Sequence, residues 1–193
     1  MSFRFRATAV AVSAFAFALV AVPAAQANLL SILPGGCNAP VSQPFAQWGD
    51  NNEYFLVPGG LFNAGETPWA STGARVESGS LSLPAGSSTA SPAVCASIYD
   101  PTVRLFITNS GASTSHLRVE ALYPGLLGGV QSAQIGELSG TSAWQPSPQL
   151  GLTVTNLLAT LSLQQTVIAY RFTPQGSGGH WRIDDVYVDP RMR

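Results

Sequence analysis

Between Tyr54 and Val188 the chain is cut into short apolar or β-branched runs, each ended by Gly, Pro, Asn or Ser, and helical periods are scarce. The runs are Tyr54 to Val57, Ala74 to Leu83, Val103 to Asn109, His116 to Tyr123, Leu152 to Thr155, Thr166 to Phe172 and Trp181 to Val188. The breaks carry turn chemistry: Pro58-Gly59-Gly60, Pro84-Ala85-Gly86, Asn109-Ser110-Gly111, Pro124-Gly125 and a glycine-rich run at 175–179. Pro presets φ, Gly accepts positive φ, and Asn bonds its own backbone, so each break has a physical reason to turn. Seven or more short strands with regular turns predict an all-β chain, a two-sheet antiparallel β-sandwich or a barrel. The stretch Leu157 to Gln165 fits a short helix or a further strand.

Period-two alternation assigns faces within the runs. Val103, Leu105 and Ile107 share one side of their strand, with Arg104 and Phe106 on the other. Leu117, Val119, Ala121 and Tyr123 share a side against Arg118, Glu120 and Leu122. Charged residues are only 10% of the chain, yet Arg104, Arg118, Glu120, Arg171 and Arg182 all fall inside strands. The plain expectation is cross-strand ion pairs on solvent faces. The functional alternative is an arginine-bearing sheet face that meets a ligand.

The first 27 residues read as an address. Arg4 and Arg6 precede a small, apolar run from Ala7 to Val22, and Ala25-Gln26-Ala27 is a cleavage signal. This is the pattern of a secretory signal peptide, and the run is too short for a spanning helix. Cleavage after Ala27 is expected, leaving one domain over 28–193, secreted, with no membrane span. Of nine basic residues all are arginine; losing Arg4 and Arg6 leaves seven against ten acidic groups, a net charge of −3. That balance gives no footprint for a phosphate backbone, so no nucleic-acid partner is expected. Cys37 and Cys95 are both in the exported part. Two cysteines in an oxidising compartment read as one disulfide, with a metal site or catalytic thiol as weaker alternatives.

Two stretches carry a family resemblance. One is Phe45-Ala46-Gln47-Trp48-Gly49-Asp50, with Leu56 through Gly65 and then Trp69. The other is Trp181-Arg182-Ile183-Asp184-Asp185-Val186-Tyr187-Val188. Together they resemble the first and last strands of galactose-binding-like jelly-roll carbohydrate-binding modules. In that group an early GG-F-E-x-G…W segment meets a closing I-D-D-V strand. The ending is also similar to that of a set of secreted actinobacterial proteins. The resemblance implies a jelly-roll sandwich and a structural calcium held between the early segment and the closing strand. Its ligands here would be Asp184, Asn63 and Glu66; Asn63 stands where the family has glutamate. Calcium takes six to eight hard oxygens. Strict alternation places Asp184 with Val186 and Val188, so inward valines imply an inward carboxylate that needs a metal, an arginine or backbone N–H groups.

Catalytic motifs are missing. There is no G-x-S-x-G elbow and no H-E-x-x-H, and the two histidines, His116 and His180, stand apart at a strand start and after a glycine-rich loop. Asp184 and Asp185, as strand neighbours, are expected to face opposite ways, unlike the two carboxylates that flank a sugar in a glycosidase. Glu120 with Glu77 or Glu137 would have to meet across a sheet. Binding is better served. Sugars are held by aromatic faces and a few polar groups, and four tryptophans are available: Trp48, Trp69, Trp144 and Trp181. Trp48 and Trp144 lie in loop-like segments; at most one of the four is expected to be exposed. The expected function is non-catalytic binding of an extracellular glycan through Trp48, Trp144, Arg104 and Arg118. The alternatives are an adhesive surface protein that meets protein copies, and a glycan-acting hydrolase.

Overall fold

The computed structural model describes residues 39–64, 68–97, 102–125, 129–151 and 165–189. Among them are fourteen strands. In chain order they are β1 (Val41–Ser42), β2 (Tyr54–Leu56), β3 (Ala70–Thr72), β4 (Arg75–Glu77), β5 (Ser80–Pro84), β6 (Ser88–Ala90) and β7 (Val94–Ser97). Then come β8 (Thr102–Asn109), β9 (His116–Pro124), β10 (Val130–Leu138), β11 (Gln145–Pro146), β12 (Leu150–Gly151), β13 (Gln165–Gln175) and β14 (His180–Val188). The one helical element described is a single 3-10 turn, Ala46–Trp48.

The strands form two antiparallel sheets. In sheet A the centre is β14, flanked along its length by β8 and on its other side by β5 and then β2. Outside these lie β4 on β5, β1 on β2, and β11 and β12 on β8. In sheet B the centre is β13, with β9 and then β10 on one side, β6 and β7 end to end on the other, and β3 outside β6. The chain passes from β5 to β6 and β7, back to β8, over to β9 and β10, back to β11 and β12, and finally through β13 to β14. This alternation between sheets is jelly-roll topology, so the expected fold class holds.

The core forms where the two inward faces meet. From β8 it takes Val103, Leu105 and Ile107; from β9, Leu117, Val119 and Ala121. These are the faces that alternation assigned. Phe172 and Tyr170 on β13 face Trp181 and Ile183 on β14, and the Trp181 indole N–H donates to Ser115 Oγ at 3.0 Å. Trp69 closes one end against Phe62 and Phe172.

Three readings of the sequence need correction. Ala74 to Leu83 is a hairpin rather than one strand. Ser78 and Gly79 have φ of 51° and 70° and join β4 to β5, as a two-residue primed turn requires. β10 had no signal, because VQSAQIGEL is an edge strand that mixes apolar and polar residues without period-two alternation and buries only Leu138 fully. Leu152 to Thr155 lies outside the described residues, as does Leu157 to Gln165 save Gln165, which opens β13.

The third correction concerns the closing strand. Val186 and Val188 are buried at the centre of sheet A, as expected, but Asp184 is not on their side. Asp184 is paired with Phe106 and Tyr187 with Arg104, so Asp185 and Val186 together stand opposite Leu105 alone. That is a β-bulge, and Asp185 takes a φ of 50° within it. The extra residue resets the alternation: Trp181 and Ile183 point inward, Asp184 outward, and Val186 and Val188 inward again. Asp184 Oδ1 accepts the Asp185 amide at 2.9 Å, so the carboxylate serves the bulge backbone.

Candidate functional site

The outer face of sheet A gathers most of the residues singled out above. Its floor is the outward side of β8 and β14: Arg104, Phe106 and Thr108 on one strand; Arg182, Asp184 and Tyr187 on the other. Two loops lie over that floor, and each carries an exposed tryptophan.

The first loop is residues 45–52. Phe45 is fully buried, stacked on Phe106 with centroids 5.4 Å apart and edge-on to Tyr54 and Tyr187. With Phe45 anchored, the 3-10 turn brings the Trp48 amide back to the Phe45 carbonyl at 2.9 Å, and Gly49, at φ 81°, ends it. Trp48 is thereby laid edge-on over Phe106 at 5.1 Å and left 44% exposed. The second loop runs through Thr141, whose carbonyl receives the Asn109 amide and the Thr108 hydroxyl. It places the Trp144 ring 5.9 Å from the Arg182 guanidinium, 45% exposed. Arg182 is held from below by Ser80 Oγ and the Glu77 carbonyl, which accept at 2.9 and 2.7 Å. Phe106, under Trp48, is two residues from Thr108, and Thr108 is the cross-strand partner of Arg182, so the two tryptophans stand over the adjacent strands β8 and β14.

Arg104 lies beneath the first loop. Its guanidinium is 4.5 Å from the Phe45 ring, Nε donates to the Ser147 carbonyl, and Nη1 donates to Asp50 Oδ2. Both partners are nearly enclosed, at 12% and 10% side-chain exposure, so this pair is shielded from bulk water. The Asp50 carboxyl is pushed up by burial, but bonds from Tyr54, the Asn52 amide, Arg104 and Gln149 outweigh that and hold it below its ordinary range. Tyr54 moves the other way, raised by burial and by its bond to Asp50. Tyr187 is raised by burial, then by the charges of Asp185 and Asp184.

The four expected ligand-binding residues are therefore split. Trp48, Trp144 and Arg104 share the outer face of sheet A. Arg118 is on the outer face of sheet B, opposite Thr173 and Glu137, and donates to Gln175. Two tryptophans are exposed rather than one, with Trp69 and Trp181 buried. Cys95 lies on β7 opposite Val167; Cys37 lies outside the described residues. Asn63 is exposed in the loop after β2, Glu66 is outside the described residues, and Asp184 is turned to the bulge. No group of three or more His, Cys, Asp or Glu among the described residues is placed to hold a metal ion.

Asp50, Phe106 and Gln149 were not singled out by sequence. Phe106 had a signal, an aromatic out of phase with its core-facing neighbours. Asp50 had a weaker one, the Asp50-Asn51-Asn52 turn, which the Asn52 amide closes onto Oδ1 at 3.1 Å.

No protein-family model matches the chain, and no curated protein matches its sequence. Solved structures with a similar shape are carbohydrate-binding modules. The CBM22-1 and GH10 modules of a Clostridium thermocellum endo-1,4-β-D-xylanase, complexed with xylohexaose, align at 13% identity and TM-score 0.46 over 74% of this chain and 28% of that one. The CBM22-1 xylan-binding domain from Paenibacillus barcinonensis aligns at 11% identity and TM-score 0.46, over 74% of this chain and 97% of that one. A family 11 module of a C. thermocellum cellulosomal cellulase aligns at 11% identity and TM-score 0.43, over 72% of this chain and 96% of that one.

Proposed function

We propose that the chain is a secreted, non-catalytic module that binds an extracellular glycan on the outer face of sheet A. The carrying observation is the pair of half-exposed tryptophans, Trp48 on Phe106 and Trp144 on Arg182, over adjacent strands of one sheet. Sugar rings present C–H faces that stack on aromatics, and their hydroxyls seek polar groups between such platforms. Asp184 and Tyr187 supply those groups on the same face. An apolar surface used for protein contact would look different. The large hydrophobics exposed among the described residues are Val41, Trp48, Val76 and Trp144, and the two valines are on the outlying strands β1 and β4. Val76, 56% exposed on β4, is the best support for the adhesive alternative.

Glu120 and Glu77 do not suit the general-acid role of glycoside hydrolysis. A general acid needs a raised pKa. Glu120 is instead lowered, first by bidentate bonding from Arg171, which outweighs burial. Glu77 is lowered by Arg75 and lies on sheet A, whereas Glu120 lies on sheet B. Export rests on the 1–27 pattern alone, and amino-terminal sequencing of the secreted product, expected to begin at Asn28, tests it. The binding reading is tested by a glycan array probed with the mature protein and with Trp48→Ala and Trp144→Ala. Retention by wild type that falls in both variants is expected; uniform silence of wild type would overturn the proposal.

A further inference from the structure

Asp50 accepts from four donors on three segments. The Asn52 amide and the Tyr54 hydroxyl, at 3.1 and 2.6 Å, belong to its own loop and β2; Arg104 belongs to β8; Gln149 Nε2, at 3.1 Å, belongs to the segment after β11. Gln149 Nε2 also donates to the Tyr54 hydroxyl at 2.9 Å. Arg104 extends the connection, because its Nε holds the Ser147 carbonyl at 2.8 Å. Ser147 is in turn tied to Leu105 in both directions, amide to carbonyl at 2.7 Å and hydroxyl from amide at 3.2 Å. The loop that begins with Phe45 and carries Trp48 is therefore bonded, through one carboxylate, to the segment 145–149 that follows directly on Trp144.

We infer that Asp50 is a positioning residue that fixes both tryptophan-bearing segments to β8, so that the two exposed rings stand at one preset separation. This rests on the glycan-binding reading only for its purpose. The geometric claim concerns the protein alone. A preset pair of platforms loses less conformational freedom on binding than two independently mobile rings, which is where affinity for a stiff, extended ligand comes from. Touching no ligand itself, Asp50 acts through Trp48 and through the 145–149 segment.

The test labels the protein with 5-fluorotryptophan, which gives one fluorine resonance for each of its four tryptophans, assigned by single Trp→Phe variants. Asp50→Asn keeps the shape of the side chain and removes its charge. The expected result is a shift or broadening of the Trp48 and Trp144 resonances together, with the buried Trp69 and Trp181 unmoved. A second arm uses wild type alone and covers an Asp50→Asn chain that fails to fold. On acidification, the Trp48 and Trp144 resonances should move in one shared step below pH 3.8, the ordinary carboxyl value from which Asp50 is lowered. The charged or titratable groups facing that carboxylate are the Arg104 guanidinium on β8 and the Tyr54 hydroxyl on β2, the latter raised from its ordinary value by burial and by its bond to Asp50. Movement of one exposed tryptophan without the other, of all four equally, or of none overturns the inference. A silent glycan array leaves these resonances as they are, so failure of the binding reading and failure of the positioning reading are separately visible.

Discussion

Asp184 and Val186 are two residues apart on one strand and lie on opposite faces of the sheet, Asp184 paired with Phe106 outside and Val186 buried within. A regular strand forbids this, since its side chains repeat every second residue. The relationship exists because Asp185 is accommodated as a left-handed extra residue at φ 50°. Left-handed conformation costs a residue with a Cβ about 1–2 kcal/mol. Asp185→Gly should therefore keep stability or raise it by up to about 1 kcal/mol, whereas Asp185→Val should lower it by at least about 1–2 kcal/mol. Urea midpoints of the two variants check this; equal midpoints would show that the bulge is not conformationally demanding.

With Asp184 outward and bonded to the bulge amide, the melting temperature of wild type should be the same with chelator as with added calcium. A ligand bound only by the native state raises that temperature by mass action. A clear drop on chelation would instead establish a calcium site completed by residues such as Glu66.

Glu120 and Arg171 face each other across β9 and β13, with Nη2 and Nε donating to the two carboxylate oxygens at 2.7 and 2.9 Å. The folded pKa of Glu120 is lowered from its ordinary 4.5, chiefly by Arg171. Its contribution is then complete above pH 4.5 and drains away as pH falls through the lowered value. Glu120→Gln should cost about 1–2 kcal/mol at neutral pH and flatten the acid limb of a stability-versus-pH curve. An unchanged acid limb would mean the pair is no more than a screened surface contact.

Trp181 and Trp48 separate stability from recognition. Trp181 is fully buried and bonded to Ser115, so Trp181→Ala should cost about 3–5 kcal/mol. Trp48 rests on Phe106 with nearly half its surface in water, and Trp48→Ala should cost about 1 kcal/mol. Denaturation midpoints measure both, and similar losses would place Trp48 in the structural core.

The disulfide proposed from sequence joins Cys37 to Cys95 across about 58 residues, a closure worth about 4 kcal/mol by the chain-entropy relation. Non-reducing peptide mapping of the secreted protein should recover the two cysteines in one linked peptide, and reduction should lower the urea midpoint. Recovery of both as free thiols would refute the pairing.

What sequence showed, and what it hid, follows from the range of the interactions. Alternation in Val103–Ile107 and Leu117–Tyr123 named core faces correctly, because period two is a local property of any strand with one wet side. Polar, loop-like surroundings pointed to Trp48 and Trp144. The bulge escaped, since nothing in Ile183-Asp184-Asp185-Val186 marks which residue is extra until β8 is laid beside it. β10 escaped because Val130, Ile135 and Leu138 are not spaced at period two along this edge strand, which offers no alternation to read. The Asp50 network escaped for a different reason: its carboxylate meets donors 54 and 99 residues away, on strands whose adjacency only the topology supplies.

The place of β14 has a consequence for how the chain comes together during synthesis. It is the strand that β2, β5 and β8 all lean on, and it follows every one of them in sequence. Sheet B can be completed once β13 has emerged, but sheet A has no centre until residues 180–188 exist. A ribosome-bound chain halted before Trp181 should therefore behave as an open, protease-sensitive polymer whose sheet A lacks its centre, and the emergence of residues 180–188 should convert it to a closed one in a single late step.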